Sequence, residues 1–170
     1  MKITLSYSEI INCLTMVAQT QVFVMKENLK PTYGQESNFF DRLNIASFGF
    51  MGELVVAKFF NKYWFGNVGI IGGDDVDNLQ VRTIINKKHS LILHKEDKDE
   101  SKFILVSLHN FPEAELIGWD FAGNLKKPEN WQTWTGRPCY FIKQDRLRPV
   151  RELLDEKTYS KIYEPRCANS

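Results

Sequence analysis

Three aspartates, Asp74, Asp75 and Asp77, crowd the turn that follows Gly72 and Gly73, and a strand-like segment carrying Gln80 and Arg82 comes directly after them. Carboxylates are hard oxygen donors, and Mg²⁺ is usually held by one or two of them together with waters and substrate phosphate. Beside a cationic side chain, such a site has the parts for phosphodiester hydrolysis. The metal polarises the phosphate and activates water, and the side-chain cation stabilises the charge that develops. Upstream, Glu53 stands among hydrophobes in "FMGELVVAKFF", and an unpaired charge is costly to bury. Glu53, an aspartate of the turn and the Gln80 side-chain oxygen are the candidate ligands for Mg²⁺ or Mn²⁺. Residues two apart on a strand share a face, so Gln80 and Arg82 look out together.

Each residue has a plainer reading. Glu53 can sit at the edge of an apolar helix face and pair with Lys58 or Lys62. Aspartates are common after Gly-Gly because they stabilise turns through their own backbone hydrogen bonds. Arg82 can form a fixed ion pair with Asp75 or Glu53, which explains a polar strand without any catalysis.

The elements that position these residues follow from hydrophobic period. Apolar residues recur at helical intervals from Ile10 through Leu14, Val17, Ala18, Val22 and Met25 to Leu29, with Ser6 or Ser8 as start and Pro31 as stop. A second helix spans residues 41–63, with Asp41 as N-cap and with Gly49 and Gly52 permitting close packing. Beyond Gly66 the period changes. "VGII", "LQVRTII", "SLILHK", "KFILVSL", "AELIGWDF" and "PCYFIK" are short, rich in branched and aromatic residues, and bounded by turn formers. Several are apolar on both faces, as strands covered by helices are. A short helix is expected between residues 149 and 163. The order predicts an α+β domain, two N-terminal helices and then a run of strands, with a central mixed or antiparallel sheet flanked by helices. One domain covers residues 1–170: an N-terminal helix and linker to residue 40, a core over 41–150, and a C-terminal helix or tail over 151–170.

A helix bearing Glu53, then Asp75, then "QVR" at Gln80 to Arg82 resembles the motif order of the PD-(D/E)XK nuclease superfamily. The stretches "GDDVDNLQVRT", "FILVSL", "IGWDFAGN", "GRPCYFI" and "LRPV" also look like small stand-alone members found in phages and prophages. The similarity covers residues 45–150. It implies a restriction-endonuclease-like sheet flanked by helices, divalent-metal binding and cleavage of DNA. It selects Asp75 over Asp74 as the motif aspartate and suggests a homodimer.

Two departures from the pattern stand out. Arg82 occupies the motif lysine's place, and arginine keeps its proton throughout. Strands also follow "QVR" directly, where many members place a helix. If "LQVRTII" and "SLILHK" form a hairpin in which Ile85 faces Ser90, then Lys95 lies opposite Gln80 and supplies an ammonium there. The alternative is a catalytically inactive module on the same fold that binds DNA or a protein partner.

The 170 residues carry a formal net charge of +1, so contact with a polyanion must come from local patches. Arg137, Lys143, Arg146, Arg148 and Arg151 are spaced closely enough to form one, or else a solvated face. In "GWDFAGNLKKPENWQTW", Lys126 and Lys127 lie among tryptophans that either stack on bases or close a core edge. "HKEDKDESK" reads as a solvated hairpin loop, although Asp97 and Asp99 are further oxygen donors. The three histidines lack zinc-ligand spacing. Cys13, Cys139 and Cys167 form no framework, which points to a reducing, cytoplasmic setting. No segment approaches the roughly 20 apolar residues of a membrane span.

Overall fold

A computed structural model of the chain describes residues 1–29, 38–66, 74–133 and 136–154. The expected strand at "VGII", the Gly72–Gly73 turn, Pro31, Trp134 and Cys167 lie outside them. The described part is α+β: strand β1 (Lys2–Thr4), helices α1 (Tyr7–Lys26) and α2 (Phe39–Phe59), then β2 (Leu79–Ile84), β3 (Leu91–Leu93), β4 (Lys102–Asn110), β5 (Glu113–Phe121), the single-turn α3 (Ala122–Leu125), β6 (Trp131–Gln132) and β7 (Cys139–Ile142).

Helix α1 starts where Ser6 accepts the Glu9 amide while Glu9 accepts the Ser6 amide, a reciprocal capping box. It ends at Lys26, before Pro31, and Asn28 takes a left-handed φ of 50° just beyond. The expected apolar face is only partly the buried one. Cys13 and Val17 face the core, whereas Leu14, Val22 and Met25 are exposed. Helix α2 is capped by Asn38, which accepts the Asp41 amide. Asp41 therefore sits in the first turn instead of at the cap, and the helix stops at Phe59, not near residue 63. Gly52 packs as expected: a methyl there would overlap Thr83 Oγ1 on β2, so glycine lets helix and strand close together. Gly49 has no such neighbour.

The strands form two sheets, not one. The larger runs β1-β5-β4-β2; β2 lies parallel to β4 and the other pairs are antiparallel, so this sheet is mixed. The smaller runs β3-β7-β6 and is antiparallel. Alternate residues of β4 separate the faces. Ile104 and Val106 join Leu79 and Val81 beneath the helices, packed with Met51, Val55 and Val56. Phe103 and Leu105 join Ile84, Leu91, Leu93 and Ile142 towards the smaller sheet. Strands apolar on both faces thus divide a helix layer from a sheet layer.

This topology overturns the β2–β3 hairpin. Leu91, Ile92 and Leu93 pair with Ile142, Phe141 and Tyr140 of β7, while β2 pairs with β4. Lys95 lies in an exposed turn after β3, not opposite Gln80. The reason is coverage: Leu91 and Leu93 are fully buried, and only the second layer can cover them. The expected C-terminal helix is, in its described part, a 3₁₀ turn at Val150–Leu153.

Candidate functional site

Val76 and Leu79 exchange backbone hydrogen bonds around Asp77 and Asn78, and Asp77 adopts φ 55°. Aspartate tolerates the left-handed region better than most residues, so "DDVDNL" folds into a tight turn that feeds β2. The turn lays Asp75 alongside its own strand. The Asp75 amide donates to Leu79 O at 3.0 Å, and its carboxylate accepts the Val81 amide at 2.7 Å. Strand β2 ends the sheet order among the described residues, and Asp75 satisfies an amide on its outer side.

The Asp75 carboxylate therefore stands at the strand edge, between the two faces of the sheet. Glu53 comes from the helix layer, where it is 8% exposed and accepts the Trp64 indole N–H at 3.1 Å. Gln80 and Arg82 come from the opposite face, which carries Ile84. Burial first and the Asp75 charge second push the Glu53 carboxyl up to about 7, against the opposing Trp64 hydrogen bond. Asp75 is also held above the ordinary carboxylate range, mainly by burial and further by Asp74, against the lowering effects of the Val81 amide and the Arg82 guanidinium. The Asp75 charge thus reaches the Glu53 carboxyl across the edge.

Neither has an ion-pair partner among the described residues. Lys58 instead binds Glu9 at 2.8 Å and Thr4 O at 2.9 Å, and Lys62 pairs with Asp77 at 2.9 Å. Arg82 pairs with Asp97 at 3.5 Å and lies 4.8 Å from the centre of the Phe103 ring. An internal ion pair of Arg82 with Glu53 or Asp75 does not form.

The remaining candidates divide. Gln80 donates its amide N–H to Asp74 at 2.9 Å. Lys95 lies in the turn after β3, a strand that pairs with β7 and not with β2. No group of three or more His, Cys, Asp or Glu side chains able to hold a metal ion occurs among the described residues. Two carboxylates nevertheless suit Mg²⁺, which typically takes one or two and fills its shell with water and phosphate.

The basic residues divide as well. Lys126 is not a free cation. Its ammonium donates to Lys95 O, Asp97 O and the Asp99 carboxylate, and its side chain is only 10% exposed. It pins "HKEDKDESK" against α3, so Asp97 is mostly buried instead of solvated. Arg148 is held by Glu152 at 2.6 Å and stacks on Trp119 at 4.4 Å. Arg137 pairs with Glu96 at 3.3 Å. Lys127 and Arg146 stay open to solvent and line a cleft that also takes in Lys143. Trp119 and Trp131 are engaged within the protein: the Trp119 indole donates to Pro149 O, and Trp131 packs edge-on against Tyr140.

Asp97 is the residue whose role the sequence concealed. Its charged neighbours suggested solvent, but its carboxylate accepts the His94 amide at 2.8 Å and pairs with the distant Arg82, and its carbonyl accepts from Lys126. Among the described residues, no helix is long and apolar enough to cross a membrane. Comparison with protein-family models, with curated proteins and with solved structures finds no significant match to the chain.

Proposed function

We propose that this chain is a small metal-dependent nuclease of the PD-(D/E)XK type, acting on the phosphodiester backbone of DNA, with a restriction-endonuclease-like core. One observation carries the reading: Glu53 and Asp75 are two largely buried carboxylates from separate elements, the Asp75 charge helps to raise the Glu53 carboxyl, and neither has an ion-pair partner among the described residues. A divalent cation relieves that repulsion, and Mg²⁺ or Mn²⁺ is the ion such hard oxygen donors select. The ion would supply phosphate polarisation and water activation. Glu53 and Asp75 hold it, Trp64 and the Val81 amide fix their orientation, and Arg82 provides fixed positive charge beside Asp75. Gln80 acts through Asp74 in this reading, as a positioning residue.

A second reading draws support from the Arg82 contacts. Because Asp97 and Phe103 hold the guanidinium, the motif cation is engaged within the protein, as in a nuclease-fold module that binds DNA or a protein without cutting.

The two separate on incubation with linear, nicked, single-stranded and branched DNA in Mg²⁺, Mn²⁺ or EDTA. Glu53→Gln and Asp75→Asn serve as controls, since they keep shape and remove charge. Metal-dependent cutting that both variants lose is expected. Absence of cutting on every substrate in both metals would leave the binding module.

A further inference from the structure

A cleft of about 610 Å³ opens between the segment after β5 and the segment after β7. Lys127 reaches it from one wall, Lys143 and Arg146 from the other. All three are exposed, and among the described residues none forms an ion pair. This contrasts with Lys126, Arg137 and Arg148 nearby, each held by a carboxylate. Two acids also line the cleft, Glu129 and Asp120. Asp120 accepts the Phe121 amide and the Asn124 side chain at 2.8 Å each through one carboxylate oxygen, Oδ1. Three unpaired cations against two acids leave the cleft net positive, which suits an anionic ligand.

The cleft shares Ser90 and Phe141 with a second depression of about 480 Å³, lined by Phe48, Ile84, Ile85 and Ile92. Ile85 is 51% exposed there and Ile92 37%. A cationic trough that runs into an apolar groove matches a ligand bearing negative charge and flat apolar faces on the same chain. Duplex bases are stacked inward and cannot enter such a groove; the bases of a single strand can.

The geometry points to single-stranded nucleic acid as the ligand of this double depression, with its phosphates on Lys127, Lys143 and Arg146 and an unstacked base in the groove of Phe48, Ile85 and Ile92. As the substrate class of the nuclease it rests on the reading above, and it assigns that enzyme a single-stranded segment or end. As a binding site it stands without cleavage, because no residue of the depression belongs to the Glu53–Asp75 pair.

The test measures fluorescence anisotropy in EDTA, using a labelled mixed-sequence DNA strand of about twelve nucleotides, within the span such sites cover. The strand is offered alone and annealed to its complement. The full chain should bind the single strand at least tenfold more tightly than the duplex. Lys143→Glu with Arg146→Glu should lose at least tenfold, and the salt slope of log K should shrink by about 1.4 for the two phosphate contacts removed. A variant of equal charge change elsewhere, Lys2→Glu with Lys26→Glu, should lose less than threefold. Ile92→Asp should weaken the single strand and leave any duplex binding unchanged. Circular dichroism confirms that each variant is folded. Equal affinity for strand and duplex, equal losses in the two charge variants, or no binding at all overturns the inference. Metal-dependent cutting that survives such a result leaves the nuclease standing alone; strand-selective binding without cutting leaves the binding site standing alone.

Discussion

The Asp75 carboxylate accepts the Val81 amide at 2.7 Å, so the side chain proposed to hold a cation also satisfies the outer side of β2. The two roles come apart by substitution. Asp75→Asn keeps an acceptor oxygen and removes the charge, whereas Asp75→Ala leaves the amide unsatisfied, at a cost of about 1–3 kcal/mol. Urea denaturation should rank stability as wild type, then Asp75→Asn, then Asp75→Ala, and both variants should lose metal binding. Equal stability of Asp75→Ala and Asp75→Asn would show that the Val81 bond contributes nothing.

Stability should depend on pH through Glu53. Its carboxyl is raised from the ordinary 4.5 to about 7, so the folded chain holds a proton that the unfolded chain has already released. The contribution is fully present below about pH 4.5 and is lost as pH rises to about 7, at up to roughly 1.4 kcal/mol per pH unit. Asp75, also raised, acts in the same sense. Denaturation midpoints measured without metal should therefore fall across this window and level off above it, and Glu53→Gln should flatten the profile. A midpoint that rises through the window contradicts the assignment.

Metal should reverse that loss. At pH 7.5, above the Glu53 midpoint, an ion that binds only the folded chain adds about 2.7 kcal/mol at one hundred times its dissociation constant. Mg²⁺ or Mn²⁺ should raise the melting temperature of the wild-type chain, and neither ion should move that of Glu53→Gln or Asp75→Asn. An identical rise in all three chains would place the ion elsewhere.

Much of this arrangement was legible in residue order. A serine cap at Ser6 or Ser8, a close approach at Gly52 though not at Gly49, and Asp75 ahead of a polar-bearing strand all rest on local chemistry that a chain displays along its length. Long-range choices were not legible. Which strand Leu91–Leu93 pairs with is decided by what can cover Leu91 and Leu93, and nothing within "SLILHK" encodes the partner Cys139–Ile142. The same limit hid Asp97. The local turn with His94 holds its carboxylate, but its contacts with Lys126 and Arg82 are distant in sequence, while its immediate neighbours are charges that look solvated. The edge position of Asp75, with Glu53 on one face and Arg82 on the other, likewise needed the sheet order.

Arg82 ties these layers together, and its removal should read out in two ways. The pair with Asp97 joins side chains 26% and 13% exposed, and the Phe103 ring lies beneath the guanidinium. Arg82→Ala should cost about 1–2 kcal/mol, from a partly screened ion pair and a cation–π contact. It also removes the charge that lowers the Asp75 carboxyl, so nuclear magnetic resonance titration should show Asp75 protonating at higher pH. Under the nuclease reading, cleavage should fall by on the order of a hundredfold. Unchanged cleavage would free Arg82 of any part in the reaction, while the Asp75 shift would still stand.

Lys126 should behave as a structural cation and not as a contact for nucleic acid. It donates to the Lys95 and Asp97 carbonyls and to the Asp99 carboxylate from a nearly buried position, so it closes the segment after β3 onto α3. Lys126→Met retains the aliphatic stem and removes all three bonds, at a cost of about 1–3 kcal/mol. The loss should be local. Amide hydrogen exchange should speed up at residues 95–101, where Ser101 O also receives the Ala122 amide, while β4 and β5 keep their protection. The salt slope of strand binding should stay as in the wild-type chain, because the ammonium never faces the cleft of Lys127, Lys143 and Arg146. A reduced slope with unchanged exchange would turn the assignment round and make Lys126 a phosphate contact.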